Sequence, residues 1–267
     1  MICQLPATTV GVSSEGEITV SSPDAMKRLV CEFLGTFALC FFGIGAIIAT
    51  QGTNLLVIAL AHGLAIGLMI TAVGHISGGH FNPALTIGLL LGRKISLPES
   101  IAYIISQIIG AVAACLLLLT IFPKGLRDAV GFGIPAVGPG VTIGDVQIGF
   151  DNTNALIAEI VMTFFLMFVV YGAAVDTRSV KAIAGLAIGL TITIDILMGG
   201  VVSGAAMNPA RYLGPAIVDG NFDDFWIWIV GPIIGAIIAA VIYAFVLYPE
   251  LNEQVDVDPA PADELNR

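Results

Sequence analysis

The chain has 267 residues, of which 57% are apolar and 11% charged, with a formal net charge of −10 and a mean hydropathy of +0.97. Soluble domains run about 45–50% apolar and about 25% charged, so an ordinary soluble globule and a disordered chain are both excluded and a bilayer-embedded protein is indicated. Six of the 20 acidic residues (Glu250, Glu253, Asp256, Asp258, Asp263, Glu264) crowd the C-terminal tail, and nothing basic enough to bind nucleic acid is present.

Residues 1–25 have neither a basic n-region nor an apolar h-region, so a flexible tail is expected there rather than a signal peptide. Ser22-Pro23-Asp24 is a helix-start cluster, and a first span is predicted at 26–50. After the turn Gln51-Gly52-Thr53 a second span covers 54–74, and a third covers 97–122. A Gly/Pro-rich connection occupies 123–151. Asn152-Thr153-Asn154 caps a fourth span at 152–174, and spans five and six follow at 180–202 and 224–248. An acidic tail at 249–267 closes the chain. Residues 33–92, 100–123 and 225–249 contain no Asp, Glu, Lys or Arg. Each of these runs meets the roughly 20 residues that a helix needs to span hydrocarbon.

Two apolar stretches remain, 75–91 and 203–218. Both are too short and too Gly-rich at their start to cross, which suggests re-entrant structure packed within the protein or lining a cavity. Lys27, Arg28, Arg93, Lys94, Arg178 and Lys181 fall on one face of a six-span layout, the face that also carries the C-terminus. Lys124, Arg127 and Arg211 fall toward the other, so the positive-inside rule makes both termini cytoplasmic. Cys3, Cys31, Cys40 and Cys115 form no CxxC pair, and neither a disulfide framework nor a zinc site is expected.

The chain repeats itself. Glu32-Phe33-Leu34-Gly35-Thr36-Phe37 resembles Glu159-Ile160-Val161-Met162-Thr163-Phe164, and Asn82-Pro83-Ala84 recurs as Asn208-Pro209-Ala210. Ser77-Gly78 and Ser203-Gly204 precede the two Asn-Pro-Ala motifs by the same spacing. Each half, about 26–122 and 152–248, holds three spans, so the second is inverted in the membrane. Asn is a favoured N-cap and Pro a favoured first helical residue. Each motif should therefore start a half-bilayer helix, and the inversion makes the two meet N-terminus to N-terminus with their positive dipole ends converging. If the Asn oxygens serve as caps, the Asn82 and Asn208 amides can point into a shared cavity. The non-helical backbone before each cap (Gly78, Gly79, His80; Gly204, Ala205, Ala206, Met207) leaves carbonyls free along the same path. Such a narrow pore suits a small neutral hydrogen-bonding molecule and is hostile to cations and protons.

With these residues in view, the chain resembles the aquaporins, the major intrinsic protein family. The resemblance covers about 26–248 and is carried most specifically by residues 74–84 and 203–211, where both Asn-Pro-Ala motifs are intact. It implies an all-α membrane protein of six transmembrane helices and two half-helices. It also implies a homotetramer with one pore per protomer, no cofactor, and passive conduction of water. Four positions carried over by spacing would form an outer selectivity constriction: His62, Ile196, Ala205 and Arg211. Strict water channels usually have Phe and His at the first two, and this set is more similar to the plant tonoplast intrinsic proteins. Ile196 removes a donor and Ala205 leaves space, so ammonia, hydrogen peroxide, urea and glycerol join water as candidate solutes. Tyr212 and Ala216 stand where glycerol facilitators usually have Asp and a basic residue, which favours water.

The intramembrane carboxylates Glu32 and Glu159 admit two readings, proton relay and bracing of the re-entrant loops, and the resemblance implies bracing. His75 and His80 are expected to brace a loop, with the His80 carbonyl facing the pore. Asp195 adjoins Ile196, where the tonoplast pattern more often has Asn. It could brace a loop or face the vestibule. A secondary transporter, which also uses inverted repeats and broken helices, is an alternative, as is a structural junction protein with a closed pore. An enzyme is not expected, since no nucleophile–base pair, phosphate loop or metal cluster stands out. The tonoplast resemblance does not fix a vacuole, and the acidic tail and N-terminal segment lead us to expect the plasma membrane.

Overall fold

Uncharged sequence as long as a bilayer is thick has one stable local solution, a helix that satisfies its own backbone hydrogen bonds. The computed structural model describes residues 23–249, so the two expected tails, with Cys3, lie almost wholly outside the described residues. In chain order the helices are α1 (Pro23–Thr50), α2 (Leu55–Ser77), α3 (Pro83–Leu91), α4 (Leu97–Ile121), α5 (Lys124–Asp128), α6 (Asn152–Val169), α7 (Ala184–Ser203), α8 (Pro209–Asp219) and α9 (Trp226–Val241). α6 and α9 each run on through a π-helical turn, Val170–Val175 and Ile242–Leu247. Among the described residues, six helices are long and apolar enough to cross a membrane, and they are the six expected spans. α3 and α8 are the two half-length segments.

The ends differ from expectation for local reasons. α2 runs through His75 to Ser77 and stops where Gly78 takes the left-handed conformation, φ 89°. Asp151, not Asn152-Thr153-Asn154, caps α6. Its carboxylate accepts from Asn154 N at 2.8 Å while the Asn154 side chain accepts from Asp151 N at 3.1 Å, a reciprocal capping box.

The helices follow the sequence repeat, α1 to α4 matching α6 to α9. α1 packs on α2 and α4, α6 packs on α7 and α9, and the halves meet where α2 crosses α7. Glycines make that crossing close. A Cβ on Gly63 would lie 2.3 Å from the Gly189 carbonyl oxygen, and one on Gly189 would lie 2.5 Å from that of Gly63. Small residues four apart let membrane helices touch backbone to backbone, where dispersion rather than hydrophobicity holds them.

The connection between halves has structure the composition did not suggest. Val141–Ile143 and Val146–Ile148 pair as an antiparallel ribbon. The two residues between the strands, Gly144 and Asp145, are a hairpin-turn pair, with Gly144 at φ 60°. Before the ribbon, the chain turns inward through Gly131–Gly133, and Gly138 N donates to Val202 O at 2.8 Å, tying the connection to the end of α7.

Candidate functional site

α3 and α8 start as the Asn-Pro pairing demands. Asn82 Oδ1 accepts from Ala84 N at 2.9 Å, and Asn208 Oδ1 accepts from Ala210 N at 2.9 Å and Arg211 N at 3.3 Å. The other end of each amide reaches across the repeat. Asn82 Nδ2 donates to Met207 O at 2.8 Å, and Asn208 Nδ2 donates to Phe81 O at 2.9 Å. The two half-helices therefore face one another N-terminus to N-terminus, and the cross-bonds fix their register. One N–H of each amide is committed to this brace, which leaves each a second.

The chain reaches these caps through strained turns. Gly78 and Gly79 have φ of 89° and 67°, Gly204 has 76°, and the non-glycines Phe81, Ala205 and Met207 have 49°, 46° and 52°. A left-handed non-glycine costs about 1–2 kcal/mol, so something must hold these residues. The two intramembrane glutamates do. Glu32 accepts from Ser77 Oγ (2.7 Å), His80 N (3.0 Å), Phe81 N (2.7 Å) and Gln107 Nε2 (2.8 Å). Glu159 accepts from Ser203 Oγ (2.7 Å), Ala206 N (2.8 Å) and Met207 N (2.7 Å). Donors from a carboxylate's own loop satisfy it without a cation and order the backbone at the same time. Tyr103 OH and Trp228 Nε1 complete the pattern by donating to Ser77 O and Ser203 O at 2.8 and 2.9 Å.

A narrow cavity runs past this junction, with about 30 Å³ of space open to the centre of a water-sized sphere. Asn82 and Asn208 line it together with Gly79, His80, Phe81, Ala205, Ala206 and Met207. Ile66, Ile70, Leu85, Leu166, Val170, Ile188 and Ile192 supply an apolar lining. All four outer-constriction positions, His62, Ile196, Ala205 and Arg211, line the same cavity. Gly78 and Gly204 are not among its lining residues and make the turns, while Pro83, Ala84, Pro209 and Ala210 begin the half-helices.

Arg211 is 2% exposed. One guanidinium nitrogen donates to Gly133 O at 2.8 Å, and among the described residues Nε has no partner. His62 Nδ1 lies 2.8 Å from Ile58 O, which can only accept, so Nδ1 carries a proton, and Nε2 has no partner among the described residues. The ring rests against α1, where a Cβ on Gly43 would lie 2.3 Å from Nε2. His80 braces its loop through Nδ1, 3.2 Å from Thr86 Oγ1, whereas His75 lies exposed on α2. Asp195 is buried but does not line the cavity, and among the described residues its Oδ2 has no partner.

Sequence reasoning missed Phe81, Gly43 and Gly133. Phe81 precedes the first Asn as Met207 precedes the second, so the repeat held that signal. Gly43 and Gly133 act through contacts distant in sequence and left none. The arrangement brings the two amide donors of the half-helix junction, an apolar lining and the Arg211 guanidinium into one cavity.

The sequence model of one family, Major intrinsic protein, matches residues 19–243. Probable aquaporin TIP3-2 of Arabidopsis thaliana is 41% identical over 86% of this chain and 87% of its own length. Nodulin-26 of Glycine max is 36% identical, covering 90% and 88%. Probable aquaporin TIP1-2 of Oryza sativa subsp. japonica is 38% identical, covering 90% and 93%. Among solved structures, the aquaglyceroporin from Plasmodium falciparum superposes with a TM-score of 0.74 at 24% identity, over 85% of this chain and 99% of that one. That likeness speaks for the fold.

Proposed function

The chain belongs to the major intrinsic protein family, and from that premise we propose that it is a passive water channel that also admits small neutral solutes and excludes protons and ions. Residues 26–248 form one channel domain. The observation that carries the reading is the junction of the half-helices, where Asn82 and Asn208 bond across to Met207 O and Phe81 O beside the cavity.

Transport follows from this chemistry. A water entering the file donates to the loop carbonyls and exchanges hydrogen bonds with the waters before and behind it, against an apolar wall that holds it weakly. At the centre the remaining N–H groups of Asn82 and Asn208 both donate to the water oxygen. Neither amide group can accept a proton in return, so the chain of proton hops is broken there. The positive ends of α3 and α8 and the Arg211 charge make the same stretch unfavourable for cations. His62, Ile196, Ala205 and Arg211 form the outer constriction, with Arg211 donating to the solute and the His62 ring, its Nε2 turned against α1, limiting the width. Ile196 gives that constriction an apolar side, which favours ammonia, hydrogen peroxide, urea and glycerol as further solutes.

The protein is an integral, multi-pass membrane protein, and we read it as a homotetramer with both termini cytoplasmic. The resemblance to tonoplast intrinsic proteins, and relatives that carry TIP in their names, lean toward a vacuolar membrane and against the plasma membrane that the tails suggested. Stopped-flow light scattering of proteoliposomes in a glycerol gradient tests the reading. Shrinkage faster than empty vesicles reports water, and faster re-swelling reports glycerol.

A further inference from the structure

The face of the protein where α9 ends gathers cations around one point. The two π-helical turns, Val170–Val175 and Ile242–Leu247, meet there. Tyr171 and Tyr243 stack between them with ring centroids 5.5 Å apart. Tyr171 also reaches the turn after α3: its OH donates to Gly88 O at 3.3 Å, and a Cβ on Gly92 would collide with it. Tyr243 OH donates to Asp176 at 2.9 Å. The stack thereby brings Arg93 and Lys94, which follow Gly92, toward Arg178 and Lys181, which follow Asp176.

The charges in this rim do not balance. Arg93, Arg178 and Lys181 are exposed, whereas Asp176 is buried and already engaged by Arg178. Lys181 Nζ donates to the carbonyls of Ala174 and Asp176, which leave its charge unmatched. Among the described residues, the other acids of this face, Asp24 and Glu99, pair with Lys27 and Arg28 at 3.0 and 2.7 Å. The end of α9 runs into the middle of the rim. Arg178 Cζ lies 3.9 Å from the centre of the Tyr248 ring, and Tyr248 OH lies 3.1 Å from Thr177 Oγ1. Beyond this anchor, residues 250–264 carry six acids (Glu250, Glu253, Asp256, Asp258, Asp263, Glu264) and no Lys or Arg. At about 3.3 Å per residue, Glu250 and Glu253 lie at most about 7 and 17 Å from Tyr248.

We propose that residues 250–258 bind back onto this rim as an acidic strap, with Arg93, Lys94, Arg178 and Lys181 as the counter-charges. Single exposed ion pairs are weak. Several on one segment tethered at its own site act together, because the tether supplies a high effective concentration. That advantage, with the charge complementarity, favours this chain's own segment over a lipid headgroup as the occupant. The turn that leads to Asp176 begins at Val170, which lines the cavity, so a seated strap borders that end of the passage and slows entry. The consequence for conduction rests on the channel reading above, whereas the docking does not.

The experiment uses the full chain in phosphatidylcholine vesicles, at low salt and at about 1 M salt, where the Debye length falls to about 3 Å. A water-soluble carbodiimide joins carboxylates to lysine amines in contact. Peptide mapping of the single-chain band should find acids of 250–258 joined to Lys94 or Lys181, several-fold less at high salt, with Lys124 of the opposite face as background. A spin label on Val257→Cys in a Cys3→Ser chain should be restricted at low salt, and mobile at high salt and in Arg93→Gln/Lys94→Gln. A label equally mobile in all these conditions, with coupling no higher than at Lys124, leaves the rim to lipid headgroups and overturns the docking. Coupling confined to the two-chain band assigns the strap to a neighbouring copy and overturns it as well. For conduction, the variant Glu250→Gln/Glu253→Gln/Asp256→Asn/Asp258→Asn should pass water several-fold faster than wild type at low salt and equally at high salt. Equal rates at low salt overturn the effect on entry. Vesicles in which neither chain conducts would refute the channel reading, and the coupling map would still decide the docking.

Discussion

Gly43→Ala is the smallest change expected to close the pore. The added Cβ would lie 2.3 Å from His62 Nε2, where ordinary van der Waals contact begins at 3.4 Å. The imidazole must give by about 1 Å. It cannot turn freely, because Nδ1 is bonded to Ile58 O on its own helix. The open direction is the cavity that the ring already lines. Overpacking of this kind costs about 1–3 kcal/mol of stability, which a six-span protein tolerates. A ring pushed about 1 Å into the cavity that Ala205 and Arg211 also line takes space that a passing water needs. We expect Gly43→Ala to fold and assemble normally, with water permeability at least about tenfold lower, equivalent to about 1.4 kcal/mol on the barrier. The assay is stopped-flow shrinkage at matched protein density. Gly43→Ala/His62→Ala should restore permeability, since the displaced ring is gone. Wild-type permeability in Gly43→Ala, or no recovery in the double variant, would refute the placement of His62 at the constriction.

Further expectations rest on other contacts. Glu159→Ala orphans Ser203 Oγ and the amides of Ala206 and Met207, at about 1–3 kcal/mol per buried donor; the melting temperature in detergent should drop and conduction should be lost together. Gly189→Val drives a side chain into the Gly63 carbonyl, so size-exclusion chromatography should show no properly assembled protein. Arg211→Val removes the charge and the donors from the constriction, and glycerol re-swelling should accelerate relative to water flux. On the cytoplasmic side of the proposed topology, Asp176 accepts from Arg178 Nε at 2.9 Å and Nη2 at 2.6 Å and from Tyr243 OH at 2.9 Å. The Arg178 hydrogen bonds hold its carboxyl well below the usual carboxylate range. A depressed folded-state value stabilises above the unfolded value of about 4 and is lost as pH falls through the folded one. Thermal stability of wild type should therefore decline below about pH 4 through this group, and Asp176→Asn should decline less; equal slopes would contradict the assignment.

Legibility followed the range of the interactions. Charge-free length showed the spans because a bilayer punishes each charge locally. Asn82-Pro83 and Asn208-Pro209 showed the half-helix starts because capping lies within three residues. Their recurrence with Glu32 and Glu159 showed the inversion. The positions His62, Ile196, Ala205 and Arg211 came from resemblance, and what the structure adds is that all four line one cavity. Gly133 could not be read in advance, since it meets Arg211 from 78 residues away through an irregular loop with no period. Gly144-Asp145 was a readable hairpin signal, obscured by the Gly- and Pro-rich sequence around it. His75 was expected at the loop, yet α2 continues past it and its register turns the ring outward.

The most direct test of the central claim is the temperature dependence of water flux into and out of proteoliposomes carrying the wild-type chain. A continuous pore predicts flux well above empty vesicles with a low activation energy, because no conformational step accompanies each passage. Flux no faster than empty vesicles, or a high activation energy of the kind a rocking transporter needs, would contradict it.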